Sequence, residues 1–153
     1  MAEQNRSEAR VHDGLFSSED VIGKYSERST NRDGEKFVSL FWLVLNETHV
    51  EKYNFASWTR KSADGKWQSK PHSEMRDVQS VRLSHILKIG TRKQGKRRVL
   101  LIESDRKVII EESVKTGRKP WSNNKERAYA IEFEGEPSMI NGCRRAIANA
   151  IPN

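Results

Sequence analysis

The sequence predicts an α+β fold with antiparallel sheets of about seven or eight strands, a short central helix and a C-terminal amphipathic helix. Two observations predict it. Short apolar runs rich in β-forming residues recur between turn signals from residue 36 to residue 133, whereas apolar positions at three- and four-residue spacing recur near the end of the chain. The chain has 153 residues, the size of one domain. A chain of this length buries about 68–70% of its unfolded surface, which is enough for a core of its own.

The first half of the chain contains the strongest strand signals. Residues 36–45 are apolar at both alternating sets of positions, which is typical of a central strand covered on both faces. Residues 49–61 alternate in polarity, and residues 66–71 follow after a short polar segment. That segment contains Asp64-Gly65, and Gly accepts the positive φ that a tight turn needs. The pair therefore predicts a hairpin between the two strands.

The connections around these strands are less regular. Residues 17–25 begin with Ser-Ser-Glu-Asp, which is compatible with a capped short helix or with an edge strand. Residues 78–83 are expected to close a four-strand set. Residues 84–89 are expected to form the short central helix, with Ser84 at its start and Gly90 at its end.

A second group of strands is expected in the other half. Residues 97–104 and 107–114 are rich in Val, Leu and Ile and flank Asp105-Arg106, which predicts a tight hairpin. Residues 115–124 are expected to be a loop and residues 128–133 a strand. From Pro137 onward apolar residues recur with the period of a helix, so the last element is expected to be an amphipathic helix that packs on the sheet.

The remaining composition limits the class of protein. The first 13 residues are polar and contain no apolar run of signal-peptide length, so we expect a disordered tail over 1–13, a single globular domain over 14–153 and an intracellular location. No stretch approaches the roughly 18 apolar residues of a membrane span. One cysteine excludes an intramolecular disulfide framework.

The sequence gives little support to an enzyme. The four histidines are scattered without the spacing of a Cys/His metal site, and Cys143 falls on the apolar stripe of the terminal helix. Neither a Walker-type loop nor a Gly-x-Ser-x-Gly motif is found. We therefore expect a binding protein with no catalytic residues, no metal and no cofactor.

Positive charge is concentrated in the middle of the chain. Residues 60–107 carry 14 Lys or Arg against 5 Asp or Glu, a net of +9, whereas residues 1–59 have a net of −3 and residues 108–153 a net of +1. A concentrated basic zone is typical of a protein that binds a polyanion, so nucleic acid is the expected partner. A solvated basic face that serves solubility is the alternative.

Aromatic residues lie among these cations on predicted strands. Single-stranded nucleic acid is held by base stacking on exposed aromatic rings, while Lys and Arg neutralise phosphates. Residues 91–98 add five cations in a surface loop, which is expected to contact the sugar-phosphate backbone of the nucleic acid. The candidate nucleic-acid-binding residues are Trp58, Arg60, Lys61, Lys66, Trp67, Lys70, Arg92, Lys93, Lys96, Arg97 and Arg98. The two tryptophans are equally compatible with burial in the core.

The run Trp58-Thr59-Arg60-Lys61-Ser62-Ala63-Asp64-Gly65-Lys66-Trp67-Gln68-Ser69-Lys70-Pro71 combines a basic strand, an acidic-Gly turn and a return strand with Lys and Trp. In this it resembles the β-hairpin of the positive-cofactor-four and Whirly group of single-stranded-DNA-binding proteins. The element order over most of residues 36–151 is similar to that of Whirly proteins. The chain departs from the cofactor members after Pro71, where His72-Ser73-Glu74-Met75-Arg76 replaces a Gly-Lys-Lys-Gly run. The resemblance implies that single strands bind across the sheet and that the chain forms a homo-oligomer through its helices.

The competing class is an interaction module with a pleckstrin-homology-like barrel. Seven strands followed by one terminal helix also describe that fold, and its basic hairpin loops near Asp64 and Gly95 would face a phosphoinositide or an acidic protein segment. The segment at Ser84 discriminates between the two. A true helix there favours the Whirly-like order, and a continuous strand favours the barrel.

Overall fold

The computed structural model describes residues 15–112 and 129–152, without the side chains of residues 70–76 and 111–112. Within these residues the chain forms eight strands and one α-helix. The elements are β1 (Val21–Thr30), β2 (Lys36–Leu45), β3 (His49–Lys61), β4 (Trp67–Arg82), β5 (Ile86–Gln94), β6 (Arg97–Ser104), β7 (Ile109–Glu112), β8 (Ala130–Gly135) and α1 (Pro137–Ala150). Antiparallel strands dominate and one helix ends the chain, so the predicted α+β class is confirmed. The expected tail over 1–13 and the loop over 115–124 lie outside the described residues.

The strands form two antiparallel sheets. The five-stranded sheet has the order β1-β2-β3-β4-β7, and the three-stranded sheet has the order β5-β6-β8. One face of the five-stranded sheet, called the inner face here, carries Leu43 and Val50 and packs against β6, β8 and α1 in the main core. Lys52 links the two sheets, because its Nζ donates to the Glu132 carbonyl oxygen of β8 at 2.7 Å. Burial lowers the pKa of Lys52.

The opposite face of the five-stranded sheet, called the outer face, carries a second apolar cluster. Trp42 and Tyr53 are buried there. Phe16, from the segment that precedes β1, covers them with ring centroids 5.8 Å from Trp42 and 4.6 Å from Tyr53. The Tyr53 hydroxyl also donates to the Leu15 carbonyl oxygen at 3.3 Å. The sheet is therefore covered on both faces at its centre, which explains why residues 40–45 are apolar at both alternating sets of positions.

Helix α1 packs very closely on β1. Pro137 occupies the first turn, and the buried stripe consists of Ile140, Cys143 and Ile147. A Cβ at Gly23 of β1 would lie 2.9 Å from the Cys143 sulfur and 3.1 Å from the Phe133 ring. Only a glycine lets the helix approach the strand this closely. The predicted amphipathic helix is confirmed.

The predicted hairpin at Asp64-Gly65 is also confirmed. β3 and β4 pair up to Lys61 and Trp67 on either side of the turn. Gly65 has a φ of +83°, the left-handed conformation for which the sequence selects glycine. β4 extends from Trp67 to Arg82 with two register shifts against β3, so the two short strands expected at 66–71 and 78–83 are one strand. The segment before β1 contains both alternatives expected for it, since Ser17 caps a 3-10 turn over Ser18–Asp20 and the edge strand follows.

The predicted central helix over 84–89 is wrong. A single 3-10 turn over Leu83–His85 connects the two sheets, and β5 begins at Ile86. Six residues would form fewer than two helical turns, too few to offset the cost of helix nucleation. As a strand, the same residues gain a ladder of hydrogen bonds with β6, and Ile86 and Ile89 pack against the main core.

The predicted hairpin at Asp105-Arg106 is wrong as well. β6 pairs with β5 and β8, whereas β7 pairs with β4 in the other sheet. The connection is four residues long and buries Val108 in the main core. Asp105 N donates to the His85 carbonyl oxygen at 3.0 Å, so the crossing is tied to the 3-10 turn rather than to a strand partner. Apolar content identified both strands correctly but could not identify their neighbours.

None of the helices in residues 15–112 and 129–152 has the length and apolar character needed to cross a bilayer.

Candidate nucleic-acid interface

Two turns meet at one end of the five-stranded sheet, and residues 28–37 and 58–69 around them are called the tip. In the β1–β2 turn, the Asn31 side chain accepts from Glu35 N at 2.9 Å and donates to the Glu35 carboxylate at 2.8 Å. That carboxylate also accepts from Lys61 N of β3 at 3.2 Å. The hydrogen bonds from Asn31 and from the Lys61 amide hold the pKa of Glu35 below its ordinary value. Glu35 thus ties the first turn to the β3–β4 hairpin.

The β3–β4 turn is held by its own side chains. The Asp64 carboxylate accepts from the Ser62 hydroxyl and from Lys66 N. These two hydrogen bonds keep the pKa of Asp64 low, the Ser62 hydroxyl having the larger effect. The hairpin therefore presents a turn that is ordered before any ligand binds.

Strand register places the two tryptophans of the tip on opposite faces of the sheet. Directly paired residues of antiparallel strands share a face, and successive residues alternate. Trp58 pairs with Phe37, and through Leu43 and Lys52 the same register identifies this as the inner face. Trp67 pairs with Lys61, three residues after Trp58, and so lies on the outer face.

The inner-face tryptophan, Trp58, is already stacked against an arginine. The Arg60 guanidinium carbon lies 4.7 Å from the centroid of the Trp58 ring and 5.3 Å from that of Phe37. Trp58 is partly buried in this stack. The guanidinium covers part of both rings and is attracted to them by cation–π interaction. This side of the tip therefore exposes a cation and not a bare aromatic ring.

The outer-face tryptophan is open. Trp67 is 51% exposed. Its ring edge lies against the β1–β2 turn, where a Cβ at Gly34 would be 3.6 Å from it. Lys61 is its direct partner, and Lys36 pairs with Thr59 on the same face, so two lysines flank the ring. Lys66, exposed in the turn, precedes it.

The second basic group lies on the three-stranded sheet, at the β5–β6 hairpin. Arg92 contacts the Glu132 carboxylate at 3.4 Å, Arg97 contacts that of Glu134 at 3.9 Å, and Arg98 donates to the Thr91 hydroxyl at 3.0 Å. Lys93 and Lys96 are exposed around Gly95, whose φ is +62°. In the described part of the chain no ion pair engages these two lysines.

The structure therefore divides the predicted site residues into separate groups. Lys61, Lys66 and Trp67 come together on the outer face of the tip, and Trp58 with Arg60 on its inner face. The other five form the β5–β6 hairpin group: Arg92, Lys93, Lys96, Arg97 and Arg98. Lys70 is the register partner of Trp58, and its side chain lies outside the described residues. A cavity of about 530 Å³, lined by Ser26, Glu27, Arg28 and Arg97, lies between β1 and the β5–β6 hairpin.

Three residues at these sites were not expected from the sequence. Lys36 and Arg28 belong to a segment with net negative charge, and their positions depend on β1 and β2 lying beside the hairpin. Phe37 is the cross-strand neighbour of Trp58. The available signal was Asp33-Gly34, a turn pair that brings Lys36 back beside β1, but strand register was needed to use it.

In the residues the structure describes, no three His, Cys, Asp or Glu side chains are grouped closely enough to hold a metal ion. Burial raises the pKa of the Cys143 thiol to about 11.

No family model, no curated protein and no solved structure matches this chain.

Proposed function

We propose that the protein is a non-enzymatic binding protein that holds single-stranded nucleic acid on the outer face of the tip. The observation that carries the proposal is the exposed ring of Trp67 with Lys36 and Lys61 on the same face. A base stacked on an exposed aromatic ring gains about 1–3 kcal/mol, and the flanking lysines neutralise the phosphates on either side of it.

The packing of the tip supports this role. The ring of Trp67 lies beside Gly34, where a Cβ would be in van der Waals contact with it, and Glu35 ties that turn to Lys61. A ring held in place loses less conformational freedom when a ligand binds, so more of the stacking energy appears as affinity. On the inner face, Arg60 is held over Trp58 and offers a fixed charge to a neighbouring phosphate.

The β5–β6 hairpin extends the basic surface. Lys93 and Lys96 are exposed and without described ion-pair partners, so they are suited to backbone phosphates. Arg92 and Arg97 already contact the carboxylates of β8 and would contribute less. We infer that bases stack at the tip and that this hairpin contacts only the sugar-phosphate chain.

A titration with fluorescently labelled oligonucleotides tests the proposal. Affinity for a single strand, a duplex of the same sequence and anionic lipid vesicles would be measured over a series of salt concentrations. We expect preference for the single strand and a steep loss of affinity with salt. Trp67→Ala should weaken single-strand binding by about 5- to 150-fold. Tyr129→Ala is the matched control, since Tyr129 is a 48% exposed aromatic residue outside the tip.

Two results would contradict the proposal. One is an absence of single-strand binding at low salt. The other is an equal loss of affinity in Trp67→Ala and Tyr129→Ala, which would mean that Trp67 is not the stacking surface.

A second candidate is an interaction module with a pleckstrin-homology-like barrel that binds a phosphoinositide or an acidic protein segment. The observation that favours it is the 3-10 turn over Leu83–His85 in place of the central α-helix that the Whirly-like order requires. Two antiparallel sheets with one terminal helix packed on them suit such a barrel. The support for this candidate is fold analogy. Binding to vesicles that contain phosphoinositide, without binding to single strands, would favour this candidate.

A further inference from the structure

β1 is an edge strand of which only the first part is covered. It pairs with β2 alone in the described residues. Helix α1 covers its beginning, where the Cys143 thiol donates to the Ile22 carbonyl oxygen at 3.3 Å and Lys24 N donates to the Met139 sulfur at 3.4 Å. From Ser26 to Thr30 the helix no longer lies against the strand in this way.

The register shows which backbone groups of this remaining part point away from β2. In an antiparallel pair, alternate residues direct both their N–H and C=O groups outward. Lys24 N faces the helix, and the register is regular from Gly23 to Thr30, so Ser26, Arg28 and Thr30 also direct these groups outward. Within the described part of the chain, the outward groups of Ser26 and Arg28 have no hydrogen-bond partner.

The cavity of about 530 Å³ lies along this free edge. It is lined by the consecutive residues Ser26, Glu27 and Arg28 and by Arg97. Successive side chains of a strand point to opposite faces, so one cavity can touch three consecutive residues only beside the strand's edge. The space therefore faces the unpaired N–H and C=O groups directly.

The charges around the cavity differ between the two faces of β1. Ser26 and Arg28 lie on the outer face, and Arg28 has no ion pair in the described part of the chain. Glu27 lies on the inner face, where Glu134 contacts Arg97 at the long distance of 3.9 Å. An added strand would therefore find a cation, Arg28, opposite its outer-face side chains, and on the other face two carboxylates against one guanidinium, where uncharged side chains fit best.

We propose that an extended acidic peptide segment of a partner protein adds to β1 as a further strand along Ser26–Thr30. Backbone hydrogen bonds to Ser26 and Arg28 provide the attachment, and an Asp or Glu beside Arg28 provides the preference. Five residues of β1 accommodate a strand of about the same length. Arg28 and Thr30 belong to the tip, but the site lies on β1, three strands away from Trp67 on β4, and does not depend on nucleic-acid binding.

The test uses a labelled acetylated heptapeptide with alternating Glu and Thr, and a second one with Lys in place of Glu. We expect the wild-type protein to bind the Glu peptide and to bind the Lys peptide about tenfold more weakly or less. Arg28→Glu should reverse this preference. Arg32→Glu is the matched control, because Arg32 is an exposed arginine of the β1–β2 turn that does not line the cavity.

Backbone pairing is tested separately. Ser26→Pro removes an outward N–H without removing a bond to β2, and an edge strand tolerates proline at such a position. We expect it to keep the unfolding transition of the wild type and to lose peptide affinity by about tenfold. N-methylation of the Glu peptide gives the same test with the unaltered protein, since methyl groups on one alternating set of amides should abolish binding and those on the other set should not.

Three outcomes would overturn the proposal: no binding of the Glu peptide, equal binding after methylation of either set of amides, or equal effects of Arg28→Glu and Arg32→Glu. Trp67→Ala separates the two sites. It should leave peptide affinity unchanged even if it abolishes nucleic-acid binding. Ser26→Pro should weaken peptide binding and leave nucleic-acid binding unchanged.

Discussion

Trp58 and Trp67 lie on paired strands of one hairpin, yet their surroundings differ. Trp58 is partly buried on the inner face, stacked with Arg60 beside Phe37. Trp67 is 51% exposed on the outer face, with only its ring edge against the turn at Gly34. The difference comes from strand register. Trp58 shares a face with its partner Lys70, and Trp67 is three residues from Lys70 on β4, so it faces the opposite way. A tryptophan among cations is therefore a candidate ligand surface only when its face of the sheet is known.

The largest expected effect concerns stability. Trp58→Ala removes the partly buried ring on which Arg60 stacks and should lower the free energy of unfolding by about 2–3 kcal/mol. Trp67→Ala should change it by no more than about 0.5 kcal/mol, as is usual for exposed positions. Chemical denaturation of both variants measures the difference. Equal losses in the two variants would show that Trp67 is as much part of the packing as Trp58.

The next effect concerns the salt dependence of single-strand binding. Lys61→Gln combined with Lys66→Gln should lower the slope of log affinity against log salt by about two, one for each phosphate contact. Arg144→Gln with Arg145→Gln is the control pair, since both arginines are exposed on α1 away from the tip. If both pairs lower the slope equally, binding depends on the total charge of the protein and is not located at the tip.

The smallest effect concerns pH. Hydrogen bonds from Asn31 and from the Lys61 amide lower the pKa of Glu35 from its ordinary value of 4.5. The carboxylate form is therefore favoured by folding, and its stabilisation of the turn is present above pH 4.5 and lost as the pH falls through the lower folded value. The amide resonance of Lys61 should titrate with a midpoint below 4.5. Glu35→Gln should abolish this titration, and a midpoint at or above the ordinary value would contradict the assignment.

Local signals in the sequence predicted the parts of the fold that depend on neighbouring residues. The apolar run of β2, the alternation of β3 and the Asp64-Gly65 turn were sufficient for three consecutive strands, because a hairpin needs only a turn and two matching strands. The terminal helix followed from its apolar period in the same way. Their local pattern was enough to identify them, although their stability comes from packing against the rest of the chain.

The incorrect predictions concern partners that are distant in sequence. Ser84 and Gly90 fit the two ends of a short helix, but β6 is available as a strand partner and the 3-10 turn directs the chain to it. Val108 turns into the core, which carries the chain from one sheet to the other and prevents a hairpin after β6. Long-range burial decided both cases, and periodicity does not record it.

The candidate site could be predicted only in composition. Charge counts located the cations of the β3–β4 and β5–β6 hairpins, but residues 91–94, expected in a surface loop, lie on strand β5. Which of them are available depends on carboxylates of β8, a strand 30 or more residues away: Glu132 engages Arg92, and Glu134 engages Arg97. Lys36 joins Trp67 through a cross-strand register that no local pattern contains.

The close packing of α1 on β1 gives this chain its own reporter of opening. Its one cysteine is buried against Gly23 and donates to Ile22, and burial raises its thiol pKa to about 11. A maleimide or disulfide reagent reacts with the thiolate, so labelling requires the helix to separate from the strand. The rate of modification of the native protein then measures how often the helix undocks. Because the same helix covers the first part of β1, each undocking event also lengthens the free edge from Ser26 toward Ile22.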